Sequence, residues 1–149
     1  MSDKRTVVPH KVIGQEYEEV TLAAETLPGT LVQITGAPHE YTGTKNGVRC
    51  QSCYIVYENE LFGKNCREAI AAGERAQVLA LQKGMRCTPF VEASVAVAVN
   101  DLLVPNNDGK VDKYDSTENV TSPQLLIALE ACAADATGDD RRILCRVLR

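Results

Sequence analysis

From residue 30 onward, apolar residues occur in short alternating or continuous runs that are rich in Val, Ile, Leu and Tyr. Gly, Pro, Asn and Asp separate these runs, and this combination is typical of a small β-barrel or β-sandwich. The pattern predicts a mainly β fold of about eight short strands. The predicted strands are Thr30–Thr35, Cys53–Glu58, Ala76–Gln82, Cys87–Glu92, Asp101–Val104, Lys110–Tyr114, Leu125–Ala131 and Arg142–Leu148.

The clearest turn lies between two of these strands. Asp108 and Gly109 readily adopt the positive φ angles that a tight reversal needs. The segment 105–109 therefore predicts a hairpin that joins Leu102–Val104 to Val111.

Two further local signals concern Pro89 and the segment Asn65–Ala72. Pro89 has no backbone N–H to donate, which predicts a sheet edge or a bulge within the strand Cys87–Glu92. The segment Asn65–Ala72 predicts one short helix, because Asn65 is a favourable N-cap and Gly73 a favourable residue to end it.

Residues 1–28 keep neither a helical nor a strand period for long. They predict an extended N-terminal arm, followed by a single β-rich domain over residues 29–149. Apolar side chains recur along the arm and give it the means to lie against a neighbouring surface, which can belong to another chain. These residues are Val7, Val8, Val12, Ile13, Tyr17, Val20 and Leu22.

Composition narrows the possible partners. The chain has 149 residues, of which 44% are hydrophobic and 24% charged, with a formal net charge of -4. This balance gives no basic surface for direct nucleic-acid binding or for an anionic membrane. No apolar run is long enough for a spanning helix and no signal peptide is recognisable. We therefore expect synthesis in a reducing cytoplasm, with the six cysteines as free and mostly buried thiols.

The strongest candidate for chemistry is the pair Cys50 and Cys53, because two thiolates at this spacing can hold Zn²⁺ or exchange a disulfide. A structural zinc site needs four ligands, however, and Cys66 and Cys87 stand alone in the sequence. A redox pair usually begins a helix, whereas this pair precedes a predicted strand. The sequence favours cysteines that act as small hydrophobic residues, with a small metal-binding or redox protein as the alternative.

No other pattern indicates catalysis. Gly-x-Ser-x-Gly and Gly-x-Gly-x-x-Gly are absent, and only two histidines are present to act as general bases. The segment 106–112 resembles a calcium loop, but Val104 occupies the position of the first acidic ligand. We predict no catalytic residues, no metal site and no cofactor.

Four phrases follow one another over roughly residues 54 to 149. They are Tyr57–Gly63; Asn65–Ala72 with Gly73–Val78; the Ala/Val run with Val99–Val104 and the turn Asn107–Val111; and Leu126–Ala131, which leads through Thr137–Asp140 to Ile143–Leu148. In this order they resemble the small β-rich head decoration (cement) proteins of tailed bacteriophages. The family has Gly-Asp where this chain has Asn100 and Asp101, and the cysteine count is high for the family.

The resemblance implies a virion structural protein without enzymatic activity. Such proteins bind the outer capsid surface at capsomer junctions and stabilise the expanded head. The implied partner is the major capsid protein, the implied assembly is a homotrimer, and neighbouring decoration subunits are further possible contacts. The protein would be made in the bacterial host cytoplasm and would reside on the outside of the virion.

Under this resemblance, the arm is expected to carry the capsid contact. Its predicted apolar anchors are Val7, Val8, Val12, Ile13 and Tyr17. The aromatic residues Tyr57, Phe62 and Phe90 are also candidates for an interface, although packing in the core is the favoured role for aromatic residues on strands.

Overall fold

In the described residues of the computed structural model, the chain forms twelve short strands and no helix. The strands belong to two sheets of five and seven strands. None of the described segments has the helical length and apolar character that a membrane crossing requires. The described residues are 7–8, 14, 17–33, 40–41, 53–58, 65–106, 108–117, 125–135 and 141–149.

The five-stranded sheet is antiparallel throughout and has the order β1-β5-β4-β2-β3. β1 is an edge strand that pairs only with β5 among the described residues, with Glu18 opposite Val78 and Thr21 opposite Arg75. The strands are β1 (Glu18–Thr21), β2 (Leu31–Gln33), β3 (Glu40–Tyr41), β4 (Cys53–Val56) and β5 (Arg75–Ala80).

The seven-stranded sheet has the order β11-β7-β9-β8-β10-β12-β6. All its pairs are antiparallel except β7 with β9, which are parallel at Val91 and Val111. The strands are β6 (Arg86–Cys87), β7 (Phe90–Val91), β8 (Leu102–Pro105), β9 (Val111–Lys113), β10 (Leu126–Ala128), β11 (Arg141–Arg142) and β12 (Cys145–Val147).

The two ends of this larger sheet lie next to each other. Only two residues separate β6 from β7, and only two separate β11 from β12. The pairs β11 with β7 and β12 with β6 also share one antiparallel register. Between them the Ile143 N–H donates to the Pro89 carbonyl at 3.4 Å. The sheet curls until its ends meet, but the ladder is interrupted there, so it is not a closed barrel.

One hydrophobic core is shared by the two sheets. Leu31, Ile55 and Leu79 enter it from the five-stranded sheet, and Leu103 and Leu126 enter it from the seven-stranded sheet; all five are fully buried. Successive residues on a strand point to opposite faces. Val32, which follows Leu31 in β2, and Val56, which follows Ile55 in β4, accordingly point to the other face and pack in a second cluster.

The mainly β prediction is confirmed, and each of the eight predicted strands overlaps an observed strand. The hairpin is also confirmed, because β8 pairs with β9 and Pro105 lies opposite Val111. The predicted strand Cys87–Glu92 is divided at Thr88–Pro89, as the missing donor of Pro89 indicated.

The predicted helix Asn65–Ala72 is wrong. Among the described residues, the Asn65 carbonyl accepts one turn bond, from the Glu68 N–H at 3.2 Å. Ile70 instead exchanges two backbone hydrogen bonds with Thr26, each 2.9 Å long. In a helix the Ile70 N–H would donate to the Cys66 carbonyl, and that carbonyl accepts from the Arg142 guanidinium. Tertiary partners therefore take the groups that a helix would use.

Candidate interaction surface

Two of the predicted capsid anchors, Val7 and Val8, lie in the core of their own chain and are 0% and 4% exposed. The Val7 N–H donates to the buried Glu58 carboxylate at 3.0 Å. The Val7 carbonyl accepts from the Thr88 N–H at 2.8 Å and from the Thr88 hydroxyl at 3.2 Å. In this conformation Val7 and Val8 hold the N-terminal segment on the body and offer no surface to another protein.

Tyr17 lies between the interior and the surface. Its ring packs against the ring of Tyr57 with centroids 4.9 Å apart and planes tilted by 48°. It is half-buried and contacts the shared core. The other two predicted anchors, Val12 and Ile13, lie outside the described residues.

The strand β1 continues the predicted arm into the five-stranded sheet, a role that sequence patterns did not reveal. Its residues Glu18 and Glu19 are exposed, whereas Val20 is buried in the second core cluster. Glu19 forms an exposed ion pair with Arg75 at 3.6 Å. The pKa of Tyr54 is raised, mainly because the hydroxyl is partly withdrawn from water. The negative charge of Glu18 and a hydrogen bond with its side chain raise the pKa further. This edge of the sheet thus carries two exposed carboxylates, of which Glu19 is paired with Arg75.

The large apolar residues that the described part of the chain exposes are Val99, at 52%, and Leu102, at 37%. Val99 lies in the turn before β8, and Leu102 is the first residue of that strand. Sequence reasoning missed them, because the run of alternating small and branched residues before Asn100 does not show which side chains face solvent.

This turn is held rigidly by its own polar groups. Asn100 has a φ of 72°, in the left-handed region that glycine and asparagine tolerate best. The Asp101 carboxylate accepts from the Ala98 N–H at 2.8 Å and pairs with Lys113 at 2.9 Å. The Ala98 hydrogen bond and then Lys113 lower the pKa of Asp101. The decoration proteins that the sequence resembles have Gly-Asp at the positions of Asn100 and Asp101. Asn100 adopts the positive φ that glycine favours at such a position.

A pocket of about 200 Å³ opens beside Phe90 and Leu27. The charged side chains that line it are Glu25, Asp108 and Lys110. Sites for drug-sized small molecules typically measure roughly 300–1,000 Å³. The pocket is therefore a weak candidate for a cofactor or substrate site.

Arg142 connects β11 to two segments that lie between strands. Its guanidinium donates to the Pro28 carbonyl at 2.6 Å and to the Cys66 carbonyl. It also lies 4.4 Å from the centre of the Phe90 ring, a cation–π distance. Phe90 and Tyr57 are both buried, which confirms a packing role for these two aromatic residues. Phe62 lies outside the described residues.

The cysteines differ in part from the prediction. Cys53 is 2% exposed and disulfide-bonded, so the expectation that all six cysteines are free is wrong. The four other described cysteines form no disulfide, and all except Cys132 are buried. They are Cys66, Cys87, Cys132 and Cys145. Cys50 lies outside the described residues. Within the described part of the chain, no three metal-ligating side chains come together.

Comparison with models of known protein families and with curated proteins gives no match.

Proposed function

We propose that this chain is a virion structural protein of a tailed bacteriophage, a decoration protein that binds the outer capsid surface at capsomer junctions. It stabilises the expanded head, contacts the major capsid protein and assembles as a homotrimer. In this proposal the two sheets form the compact body of each subunit.

The observation that carries the proposal concerns the phrases that resemble the decoration family. The phrases over 99–111, 126–131 and 143–148 are distant in sequence, yet they contain β8, β10 and β12, which are neighbours in the larger sheet, and they reach the first residue of β9. The later half of the resemblance thus falls on adjacent strands, whereas the phrase that ends at Val78 contributes to β5 of the other sheet. The conformation of Asn100 is the one that the family's glycine would favour, which supports the same assignment.

In this proposal the apolar residues of the arm have two roles. Val7 and Val8 are assigned to anchoring the arm, because both are buried in the core. Val12 and Ile13 then carry the apolar contact with the capsid, assisted by the exposed part of Tyr17. Each contact is weak alone, but three copies on one trimer bind at a high local concentration.

The test is co-sedimentation of the purified protein with expanded, undecorated phage shells, together with light scattering in solution. We expect saturable pelleting at a fixed ratio to the capsid protein and a solution mass of three chains. A monomer that does not pellet with shells from the matching phage contradicts the proposal.

A matched pair of variants locates the contact. Val12→Ser combined with Ile13→Ser is expected to reduce the shell affinity at least tenfold, whereas Val99→Ser leaves it unchanged. The opposite result would move the contact from the arm to the Val99 turn. Deleting residues 2–20 is not a clean test, because Val7, Val8 and Val20 belong to the core.

The second candidate function is the small redox or metal-binding protein built on Cys50 and Cys53, and the disulfide at Cys53 favours its redox form. Against it, exchange needs an accessible sulfur, and Cys53 is buried. Insulin reduction by the dithiol-treated protein and zinc analysis after native purification test this alternative. Turnover or one equivalent of zinc would replace the capsid proposal.

A further inference from the structure

Cys87 and Cys145 lie directly opposite each other on the paired strands β6 and β12. Neither cysteine is disulfide-bonded, and both are 0% exposed in the shared core. Side chains of opposite residues in an antiparallel pair point to the same face of the sheet. The two sulfur atoms therefore enter the same part of the core from neighbouring strands.

The hydrogen-bond pattern fixes the type of this pair. Two residues after Cys145, the Val147 N–H donates to the Met85 carbonyl at 2.9 Å. Two residues before Cys145, the Ile143 N–H donates to the Pro89 carbonyl. Hydrogen-bonded pairs alternate with non-hydrogen-bonded ones, so Cys87 and Cys145 form a hydrogen-bonded pair. Such pairs have Cα atoms about 5.5 Å apart, within the roughly 4.4–6.8 Å range that disulfides span. Their Cβ atoms lie roughly 5 Å apart, so β6 must shift toward β12 until this distance falls to the roughly 3.5–4.5 Å of a disulfide.

We propose that Cys87 and Cys145 are a latent cross-strand dithiol, a site at which oxidation forms an intramolecular disulfide between the edge strand β6 and β12. This inference is independent of the proposed function.

The reaction needs a small-molecule disulfide as oxidant. One thiolate attacks a sulfur of the oxidant and releases one small thiol, leaving a mixed disulfide. The second cysteine then attacks the protein sulfur of that bond and releases the second small thiol. The protein loses two hydrogen atoms, and the oxidant is reduced to two thiols.

Burial makes the first attack dependent on opening of the sheet. Complete burial raises the pKa of the Cys87 thiol to about 12, so little thiolate is present at neutral pH while the strand is closed. β6 is a two-residue edge strand with one strand neighbour among the described residues, β12, so it is the natural place for a local opening.

Cys66 and Cys132 serve as internal comparisons. Cys132 is half-exposed, accepts from the Arg141 guanidinium at 3.3 Å and lies opposite Val97 in an isolated bridge, so no cysteine stands in register with it. Cys66 is buried in a turn outside the ladders. We expect Cys132 to react first and to stop at a mixed disulfide, whereas Cys87 and Cys145 join to each other.

The experiment exposes the full chain to 2,2′-dithiodipyridine in a urea concentration below the unfolding transition, which permits local opening. Remaining thiols are then alkylated, the protein is digested without reduction, and the peptides are mapped by mass spectrometry. We expect a linked pair of peptides that contain Cys87 and Cys145. After removal of urea, the melting temperature should rise by roughly 5–15 °C.

Cys87→Ala should lack both the linked peptides and the rise in melting temperature, whereas Cys66→Ala should keep both. If Cys87→Ala does not fold, the peptide map of the unchanged chain still decides the question. Separate alkylation or separate mixed disulfides at Cys87 and Cys145, after Cys132 has fully reacted, would overturn the proposal.

Discussion

At Gly29 the backbone has a φ of 98°, and three groups surround the position that a Cβ atom would take. The Arg142 Nε and the Thr88 carbonyl oxygen would each lie 3.3 Å from it, and the Phe90 ring 3.5 Å. The close approach of the two sheets at this point therefore requires a residue without a side chain.

Gly29→Ala is expected to lower the free energy of unfolding by about 2–3 kcal/mol, from the strained backbone and the crowded Cβ together. Gly84→Ala is the control, because Gly84 has a φ of 89° but open space around its Cβ position. It should lose only about 1 kcal/mol. Urea denaturation of the two variants measures the difference, and equal losses would show that the Gly29 contacts give way without cost.

A second single residue, Asp101, makes the free energy of unfolding depend on pH through its carboxylate. Its pKa is lowered in the folded state, first by the Ala98 N–H and then by Lys113, from a usual value of 3.8. A group with a lowered pKa contributes stability above its unfolded pKa and loses it as the pH falls through the folded value.

Asp101→Asn should therefore be less stable than the unchanged protein at pH 6, and the two should converge as the pH falls below 3.8. Urea denaturation at several pH values gives the comparison. If the difference in stability between Asp101→Asn and the unchanged protein stays constant from pH 6 to below pH 3.8, ionisation of Asp101 is not its source.

At the scale of elements, Arg141 on the two-residue strand β11 organises a segment distant in sequence. It is 2% exposed, and its guanidinium donates to the carbonyl oxygens of Glu92, Ala93 and Val95 at 2.7, 2.8 and 3.1 Å. Buried carbonyl groups that lose their donor are costly. The turn after β7 consequently depends on β11.

Arg141→Met is expected to destabilise the protein by about 2 kcal/mol, since it removes the guanidinium donor from all three carbonyl oxygens. Those of Glu92 and Ala93 keep a backbone donor, the N–H groups of Val95 and Asp135. Arg146→Met is the matched control, because Arg146 is exposed on the nearby strand β12 and its loss should cost under about 0.5 kcal/mol. Thermal or urea unfolding compares them. Similar losses for both variants would mean that the turn after β7 holds without Arg141.

Across the whole molecule, the N-terminal segment completes the core that the two sheets share. Val7 contacts this core although Glu58 and Thr88, its hydrogen-bond partners, are 51 and 81 residues away in sequence. A segment held in this way should unfold together with the body, because its buried side chain and its backbone bonds depend on both sheets.

Val7→Ala should lower the free energy of unfolding by about 2 kcal/mol, whereas the identical substitution Val99→Ala should change it by under about 0.5 kcal/mol. A single cooperative transition is expected in both variants, measured by circular dichroism and by tyrosine fluorescence. If Val7→Ala proves as stable as Val99→Ala, the N-terminal segment does not contribute to the core in solution.

The strands and the hairpin were predictable from the sequence because both depend on neighbouring residues. Alternation of apolar residues marks a half-buried strand wherever it occurs, and Asp108 with Gly109 favours a turn in any context. Pro89 likewise interrupts a ladder because of its own missing donor. The site was less predictable: of the five predicted anchors, Val7 and Val8 proved to be buried, and the exposed pair Val99 and Leu102 went unnoticed.

Only the tertiary structure decided which segments pair and which apolar residues are buried. The helix predicted at Asn65–Ala72 lost its hydrogen-bonding groups to Thr26 and Arg142, and no local pattern records such distant competitors. The opposition of Cys87 and Cys145 likewise comes from a register between strands that are far apart in sequence. Local propensity determines the elements of this protein, whereas contacts between distant residues determine its core and its surfaces, because burial depends on the whole chain.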